Sequence, residues 1–331
     1  MSEGYDPHME YVVGVDIGGT KINAGLVTSY GYVVHTVSLS TMAGFTKTVD
    51  RAIQAIQKLM NEVTAIHSGV KIKGIGVGTA GQVAWEEGSI RSASELIPGY
   101  AGTALKALLQ TQFQVPVIVD NDVNVLALSE KYLGACIGVE DFICLALGTG
   151  VGGAIVVEGH LVHGSWGGAG ELGHMSVDFK GPECVCGGRG CLEHYASGTS
   201  IARRMREQLT LNNLPLDNLD SRDVIARWRE GDPLATEVME ETIAALGSAI
   251  ASFIHIFNPK VIVIGGGVAE AGEILFEGIR REVATRTMPS MLEGVRIEAA
   301  YRGNFCGMIG AALQIWEYGG PPLPSGNEGF I

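Results

Sequence analysis

The chain has 331 residues, 46% of them hydrophobic and only 18% charged; that length suits about two domains, and that balance excludes a disordered chain. A net charge of −13 argues against a nucleic-acid or anionic-membrane surface, although backbone N–H groups and Mg²⁺ can hold a phosphate without a basic face. The 47 glycines sit inside apolar segments with no collagen period, so they mark sharp turns and close backbone approaches.

Met1 to Glu10 carries acids and no basic-then-apolar pattern, so no secretory leader is expected. Tyr11 to Ile17 reads as a strand, Gly18-Gly19-Thr20-Lys21 interrupts it, and Ile22 to Val27 resumes it. Thr48 to Ile66 places Val49, Ile53, Ile56, Leu59, Met60 and Val63 at helical spacing. A buried strand over Ile72 to Val77 runs into Gly78-Thr79-Ala80-Gly81. A helix around Gly102 to Gln112 then leads to a strand over Val115 to Val119, which ends at Asp120-Asn121-Asp122. A helix is expected from Val125 to Tyr132. This β-β-α-β-α-β order describes an α/β domain.

The second half opens on the same plan. Phe142 to Leu147 is a strand, Gly148-Thr149-Gly150 a turn and Gly152 to Val157 a returning strand. Two like hairpins imply a duplicated domain with a cleft between the copies. Further on come an apolar helix, Thr236 to Phe257, stopped by Asn258-Pro259, and a short buried strand, Val261 to Ile264, ending in Gly265-Gly266-Gly267. Helices over Ala271 to Thr287 and Gly307 to Glu317 follow, then a Pro/Gly-rich tail. The longest weakly polar run, Ile143 to Val157, is too short and Gly-rich to span a bilayer, so a soluble, cytoplasmic chain is expected. The expected division is 1–122 plus the C-terminal stretch 307–331 as a smaller domain and 123–306 as a larger one, with the change-over between Asp122 and Val139.

Gly-rich turns between strands present successive N–H groups to one side, and such nests bind anions. Any one of them could equally be a plain tight hairpin. Gly18 to Thr20, Gly148 to Gly150 and Gly265 to Gly267 together point to one phosphate chain. Asp16, ending the strand before the first turn, could hold Mg²⁺ or simply cap its own turn. Gly148, Gly150 and Gly153 match G-x-G-x-x-G but run strand to strand, and no G-x-x-x-x-G-K-[ST] is present, which excludes Rossmann and P-loop readings.

Cys136, Cys144 and Cys306 are scattered among apolar residues and read as small core side chains. His174, Cys184, Cys186 and Cys191 instead offer one imidazole and three thiolates. Four N/S ligands close a tetrahedral zinc shell, so a structural rather than catalytic Zn²⁺ is expected. Fixing that loop would also position Glu171 and Glu193, either as a hydrogen-bonding cage for a polyhydroxylated ligand or as solvated surface acids. Asp120-Asn121-Asp122-Val123-Asn124 lies off the carboxyl end of a strand, where α/β ligands bind. An Asp there can take a proton from an attacking hydroxyl; the alternative is that Asp122 or Asn124 caps the helix.

These stretches resemble the ROK family (repressor, open reading frame, kinase) and its sugar kinases of bacterial glucokinase type. The resemblance runs from Val15-Asp16-Ile17-Gly18-Gly19-Thr20-Lys21 to Gly307-Met308-Ile309-Gly310-Ala311-Ala312. Its most specific parts are Gly170-Glu171-Leu172-Gly173-His174 and Cys184-x-Cys186-Gly187-x-x-Gly190-Cys191-x-Glu193. The resemblance implies two actin-like, hexokinase-like (ribonuclease H-like) α/β domains closing on ATP and a hexose, with transfer of phosphate to the 6-hydroxyl of glucose. It implies Asp122 as general base and Asn121, Glu171, His174 and Glu193 as sugar ligands, with His174 giving its other ring nitrogen to zinc. Asp16, Gly18, Gly19, Thr20, Lys21, Gly148, Thr149, Gly150, Gly265, Gly266 and Gly267 become the Mg²⁺ and nucleotide site. The family usually carries Asn-Leu-Pro-Gly-Trp where this chain has Ser92-Ala93-Ser94-Glu95-Leu96-Ile97-Pro98-Gly99-Tyr100, which puts Glu95 near the place of the sugar-touching Asn. N-acetylmannosamine, fructose, mannose or allose therefore stay open as acceptors, as does polyphosphate as donor. A sugar-responsive repressor is the other class in the family; it carries an N-terminal helix-turn-helix, whereas ten residues precede the first strand here. No nucleic-acid or membrane partner is expected, and the resemblance implies a homodimer or homotetramer.

Overall fold

The computed structural model describes residues 9–67, 69–93, 97–215, 218–301 and 305–319. The chain divides into two compact units, one of residues 1–138, 163–169 and 301–331 and the other of 139–162 and 170–300. The expected cut at 122/123 thus moves to 138/139. Helix 122–133 stays with the first unit because it packs along the C-terminal helix, and the second unit sends residues 163–169 back to the first.

In the first unit β1 (Tyr11–Ile17), β2 (Lys21–Thr28) and β3 (Val33–Ser40) form an antiparallel meander. Helix α1 (Thr48–Ile66) follows, its bounds those read from periodicity, and buries Val49, Ile56, Leu59 and Val63 on one face. Strand β4 (Ile72–Thr79) pairs parallel to β1. A small hairpin of β5 (Gln82–Ala84) and β6 (Ser89–Ser92) leads to α2 (Leu105–Phe113), β7 (Val117–Asn121) and α3 (Asp122–Leu133). The sheet order is β3-β2-β1-β4-β7.

The second unit repeats that order as β10-β9-β8-β11-β12. Its strands are β8 (Phe142–Leu147), β9 (Val151–Val157), β10 (His160–Leu161), β11 (Val261–Gly265) and β12 (Arg296–Ala299). Between β10 and β11 lie α4 (Glu193–Ala196), α5 (Gly198–Leu211), α6 (Ser221–Arg229) and α7 (Pro233–Phe257), and before β12 come α8 (Glu273–Arg286) and α9 (Pro289–Leu292). In both sheets a hairpin precedes parallel strands, so both Gly-rich turns stand in the same topological place.

Helix α7 starts where Asp232 accepts from the N–H groups of Leu234 and Ala235 and stops at Asn258, whose φ of 46° is left-handed, just before Pro259. It is long and apolar enough to cross a membrane by composition. Val238, Leu246, Ile250 and Phe253, however, are buried in the second unit's core.

The last helix, α10 (Cys306–Gly319), shows what glycine does in this chain. A Cβ on Gly76 would lie 1.7 Å from the Ala311 carbonyl oxygen, and one on Gly14 would lie 2.1 Å from that of Met308. The helix therefore rests backbone to backbone on β1 and β4, which only glycine permits. Cys136, Cys144 and Cys306 are buried, as read from their neighbours.

Candidate active site

Strand β7 delivers Asp120, Asn121 and Asp122 to the start of α3. The helix begins three residues before Val125 because the Asn121 side chain caps it, its Oδ1 accepting from Val123 N–H at 2.8 Å. The cap is thus Asn121 rather than Asp122 or Asn124. Asn121 Nδ2 donates to the Gly81 carbonyl at 3.1 Å. The same amide also bears on the Asp122 carboxylate as a hydrogen-bond partner, and one lone pair of its oxygen remains for a ligand hydroxyl. Asp120 is fully buried, and its carboxylate accepts from the Asn121 N–H (2.7 Å), Asn124 Nδ2 (2.8 Å) and His163 Nε2 (2.7 Å).

Asp122 Oδ1 accepts from Val123 N–H at 3.0 Å. Burial, followed by the charge of Asp16, pushes its pKa up to about 6 against the pull of those hydrogen bonds. Asp16, at the end of β1, is itself raised by burial, with the Asn23 amide opposing the rise. Asn23 Nδ2 donates to Asp16 at 3.3 Å, and Ser38 orients that amide by donating to its oxygen at 2.8 Å. Asp16 thus offers a half-buried oxygen donor suited to a hard cation such as Mg²⁺, and its charge bears on Asp122.

In the first turn the Gly18 N–H closes the hairpin onto the Lys21 carbonyl at 3.0 Å, and in the second the Gly148 N–H does so onto Gly150 at 2.9 Å. The first glycine of each turn is thus spent on the turn itself. Among the described residues no hydrogen bond uses the N–H of Gly19, Thr20, Thr149 or Gly150, which leaves those donors for an anion. At Gly265 to Gly267, Gly266 has φ 88°, and a Cβ there would lie 2.4 Å from the Leu147 carbonyl oxygen. Strand β11 consequently ends tight against β8.

Glu193 opens α4 in the second unit. Its Oε2 accepts from Val151 N–H at 2.9 Å and lies 2.4 Å from where a Cβ on Gly150 would be, so the carboxylate covers the second Gly-rich turn. Glu171 is exposed and leads into a 3₁₀ turn, Leu172–His174. Gly173 presses that turn onto β9, since a Cβ would lie 2.0 Å from the Val151 carbonyl oxygen.

His174, Cys184, Cys186 and Cys191 bring their ligand atoms within 4.8 Å of one another. Cys184 Sγ lies 3.7 Å from His174 Nδ1, and Cys186 Sγ lies 3.6 Å from Cys191 Sγ. A tetrahedron with bonds of about 2.3 Å requires S···S separations near 3.8 Å, so the donor set fits zinc. The metal-side nitrogen is Nδ1, and among the described residues His174 Nε2 makes no hydrogen bond. Isolated bridges between Ser176 and Cys191 and between Glu183 and Arg189 tie the loop.

Glu95 lies outside the described residues. Asn23, Ser38, Gly81 and His163 were not singled out in the sequence. The register of the first hairpin would have found Asn23, which stands directly across from Asp16. No local pattern marks His163, which reaches Asp120 only through the return of residues 163–169 to the first unit.

Paired sheets of this order, each entered through a Gly-rich hairpin, define an α/β protein of the actin-like, ribonuclease H-like class. Residues 12–317 match the ROK family, and the chain belongs to it. Among its relatives is a glucokinase of Halalkalibacterium halodurans, 36% identical over 329 residues, covering 96% of this chain and 98% of that one. A glucokinase of Thermotoga maritima is 34% identical over 314 residues, covering 92% and 97%. The crystal structure of a ROK family glucokinase from Streptomyces griseus in complex with glucose and AMPPNP superposes with a TM-score of 0.75 at 31% identity, covering 91% of this chain and 98% of that one.

Proposed function

We propose that this chain is an ATP-dependent hexose kinase of glucokinase type that transfers the γ-phosphoryl group to the 6-hydroxyl of glucose. The observation that carries the reading is Asp122, a carboxylate at the first position of α3, just past β7, whose pKa desolvation and the Asp16 charge push up to about 6. A carboxylate tuned toward neutrality suits general-base catalysis, and the similar Streptomyces griseus protein binds glucose and AMPPNP together. Asn121, Glu171, His174 through Nε2, and Glu193 serve as partners of the sugar hydroxyls. Glu95 remains a candidate for the same role.

The N–H groups of the two hairpin turns, with Lys21 and Gly265 to Gly267, hold the nucleotide. Asp16 fits Mg²⁺, which when bound would offset charge on the phosphates. His174, Cys184, Cys186 and Cys191 fit a structural Zn²⁺ that fixes the loop carrying Glu193. Once the sugar is oriented, Asp122 accepts the 6-hydroxyl proton as that oxygen forms its bond to the γ-phosphorus and the bond to the ADP oxygen breaks. Positioning and charge stabilisation carry most of such a transfer.

ADP release measured against glucose, mannose, N-acetylmannosamine, fructose and allose tests the proposal. Hexose-dependent release led by glucose is expected, and release with no sugar above the background would refute it. The pH profile supplies a second check. A base works only when ionised, so kcat/KM of the free enzyme is expected to fall as pH drops through about 6. A profile flat between pH 5 and about 7 would rule Asp122 out.

A further inference from the structure

We infer that His163 is a positioning residue for phosphoryl transfer, acting on Asp122 through the carboxylate of Asp120. The inference rests on the reading of Asp122 as general base. The segment 163–169 belongs to the first unit although the chain on either side of it belongs to the second. It is docked there by contacts that share no residue with the sugar ligands named above. The Trp85 N–H donates to the Trp166 carbonyl at 3.0 Å, and Arg91 lies 4.3 Å over the Trp166 ring. Gly167, at φ 113°, approaches so closely that a Cβ would lie 2.2 Å from the Val83 carbonyl oxygen. The His163 ring stacks on Trp85 with centroids 3.9 Å apart.

All of this aims one ring nitrogen at Asp120. A carboxylate oxygen only accepts, so His163 Nε2 carries the proton in the 2.7 Å bond to Asp120 Oδ2. Asp120 Oδ1 takes its two bonds from the turn itself, the Asn121 N–H and Asn124 Nδ2. His163 is therefore the donor that fixes this fully buried carboxylate from outside the turn, and the carboxylate in turn fixes the backbone that leads into Asp122. Among the described residues no other hydrogen bond reaches Asp120 Oδ2, so without that donor the carboxylate rotates or draws in water. Either movement shifts the Asn121 N–H and the base beside it, and misplacement by about 1 Å can cost up to ~10²-fold in rate.

Steady-state kinetics on the full chain test this. His163→Phe keeps the stack on Trp85 and removes the donor; kcat is expected to fall by roughly 10–100-fold while the hexose KM stays within about threefold. His163→Gln, whose amide can reach the place of Nε2, should recover most of that loss. Adding His163→Phe to Asp122→Asn should lower kcat little further, because the missing donor acts through the missing base. Should His163→Phe fail to fold, Asp120→Asn provides the same comparison, with kcat again falling more than KM. Parent-like turnover in His163→Phe, failure of the Gln variant to recover, or full additivity with Asp122→Asn would each overturn the inference. Parent-like turnover in Asp122→Asn alone would instead overturn the reading on which it rests.

Discussion

Asp122→Asn is expected to lower kcat by ~10²–10⁴-fold, the usual contribution of a general base, while the hexose KM changes only modestly. The amide keeps the oxygen that accepts from Val123 N–H, so the start of α3 survives the change. What disappears is the group able to take a proton. The stability of the variant should move the other way. The folded chain holds the Asp122 proton up to about pH 6, whereas an unfolded Asp releases it near 3.8. The folded state therefore binds more protons across that interval, and stability declines as pH climbs through it, by a total on the order of 3 kcal/mol. Above pH 6 the parent carries that penalty in full and the Asn variant does not. The variant should melt at or above the parent temperature at pH 7.5 while being nearly inactive. Near-wild-type turnover, or a collapse of the melting temperature, would contradict the assignment.

Removal of the metal has the second large effect. Glycine-rich loops have little to order them, and between Met175 and Glu193 the chain is held mainly by two isolated bridges and short turns. Structural zinc is worth about 10–16 kcal/mol in small zinc-folded peptides. Here the second unit keeps its own core of β8, β9, β11 and α7, so the loss falls on the loop rather than on the unit. Glu193 and His174 belong to that loop, and stripping the metal, or replacing Cys191 with Ser, should lower the melting temperature and weaken hexose affinity together, the latter by roughly tenfold or more. Metal analysis, a melting curve and a hexose titration on the same sample check this. A metal-free protein with both quantities unchanged would separate the loop from sugar binding.

Much of the scaffold was legible in the sequence because it rests on local patterns. Helix α1 follows its apolar spacing, and both hairpins follow apolar runs broken by Gly and Thr. Elements with a weak or thin apolar signal were not legible. Strand β3 lies at a sheet edge and is mostly half-exposed, β10 has two residues, and α5 and α6 bury a narrow stripe (Ile201, Met205 and Leu209; Val224, Ile225 and Trp228) among mostly polar residues. The unit boundary was displaced because a strand ending in acids looks like an end, whereas α3 is held to α10 by Ser129 donating to the Cys306 carbonyl and Lys131 pairing with Glu317 at 2.6 Å.

The candidate site divides the same way. Residues carried by short motifs, such as the cysteines and His174, could be picked out directly, and they converge. Residues whose importance is relational could not. Asn121 was singled out for a ligand, and its cap on α3 depends on the helix starting earlier than its apolar residues suggest. Asp16 and Asp122 lie more than a hundred positions apart in the chain, and the effect of the Asp16 charge on Asp122 arises only when β1, β4 and β7 line up in one sheet.

The most direct measurement is ³¹P NMR of the purified chain incubated with ATP, Mg²⁺ and glucose. The expected result is a phosphomonoester on the C6 oxygen appearing in step with ADP, and its loss on substituting Asp122 with Asn. A phosphate on another hydroxyl, or ATP hydrolysed to free phosphate with every sugar untouched, would contradict the transfer proposed for this site.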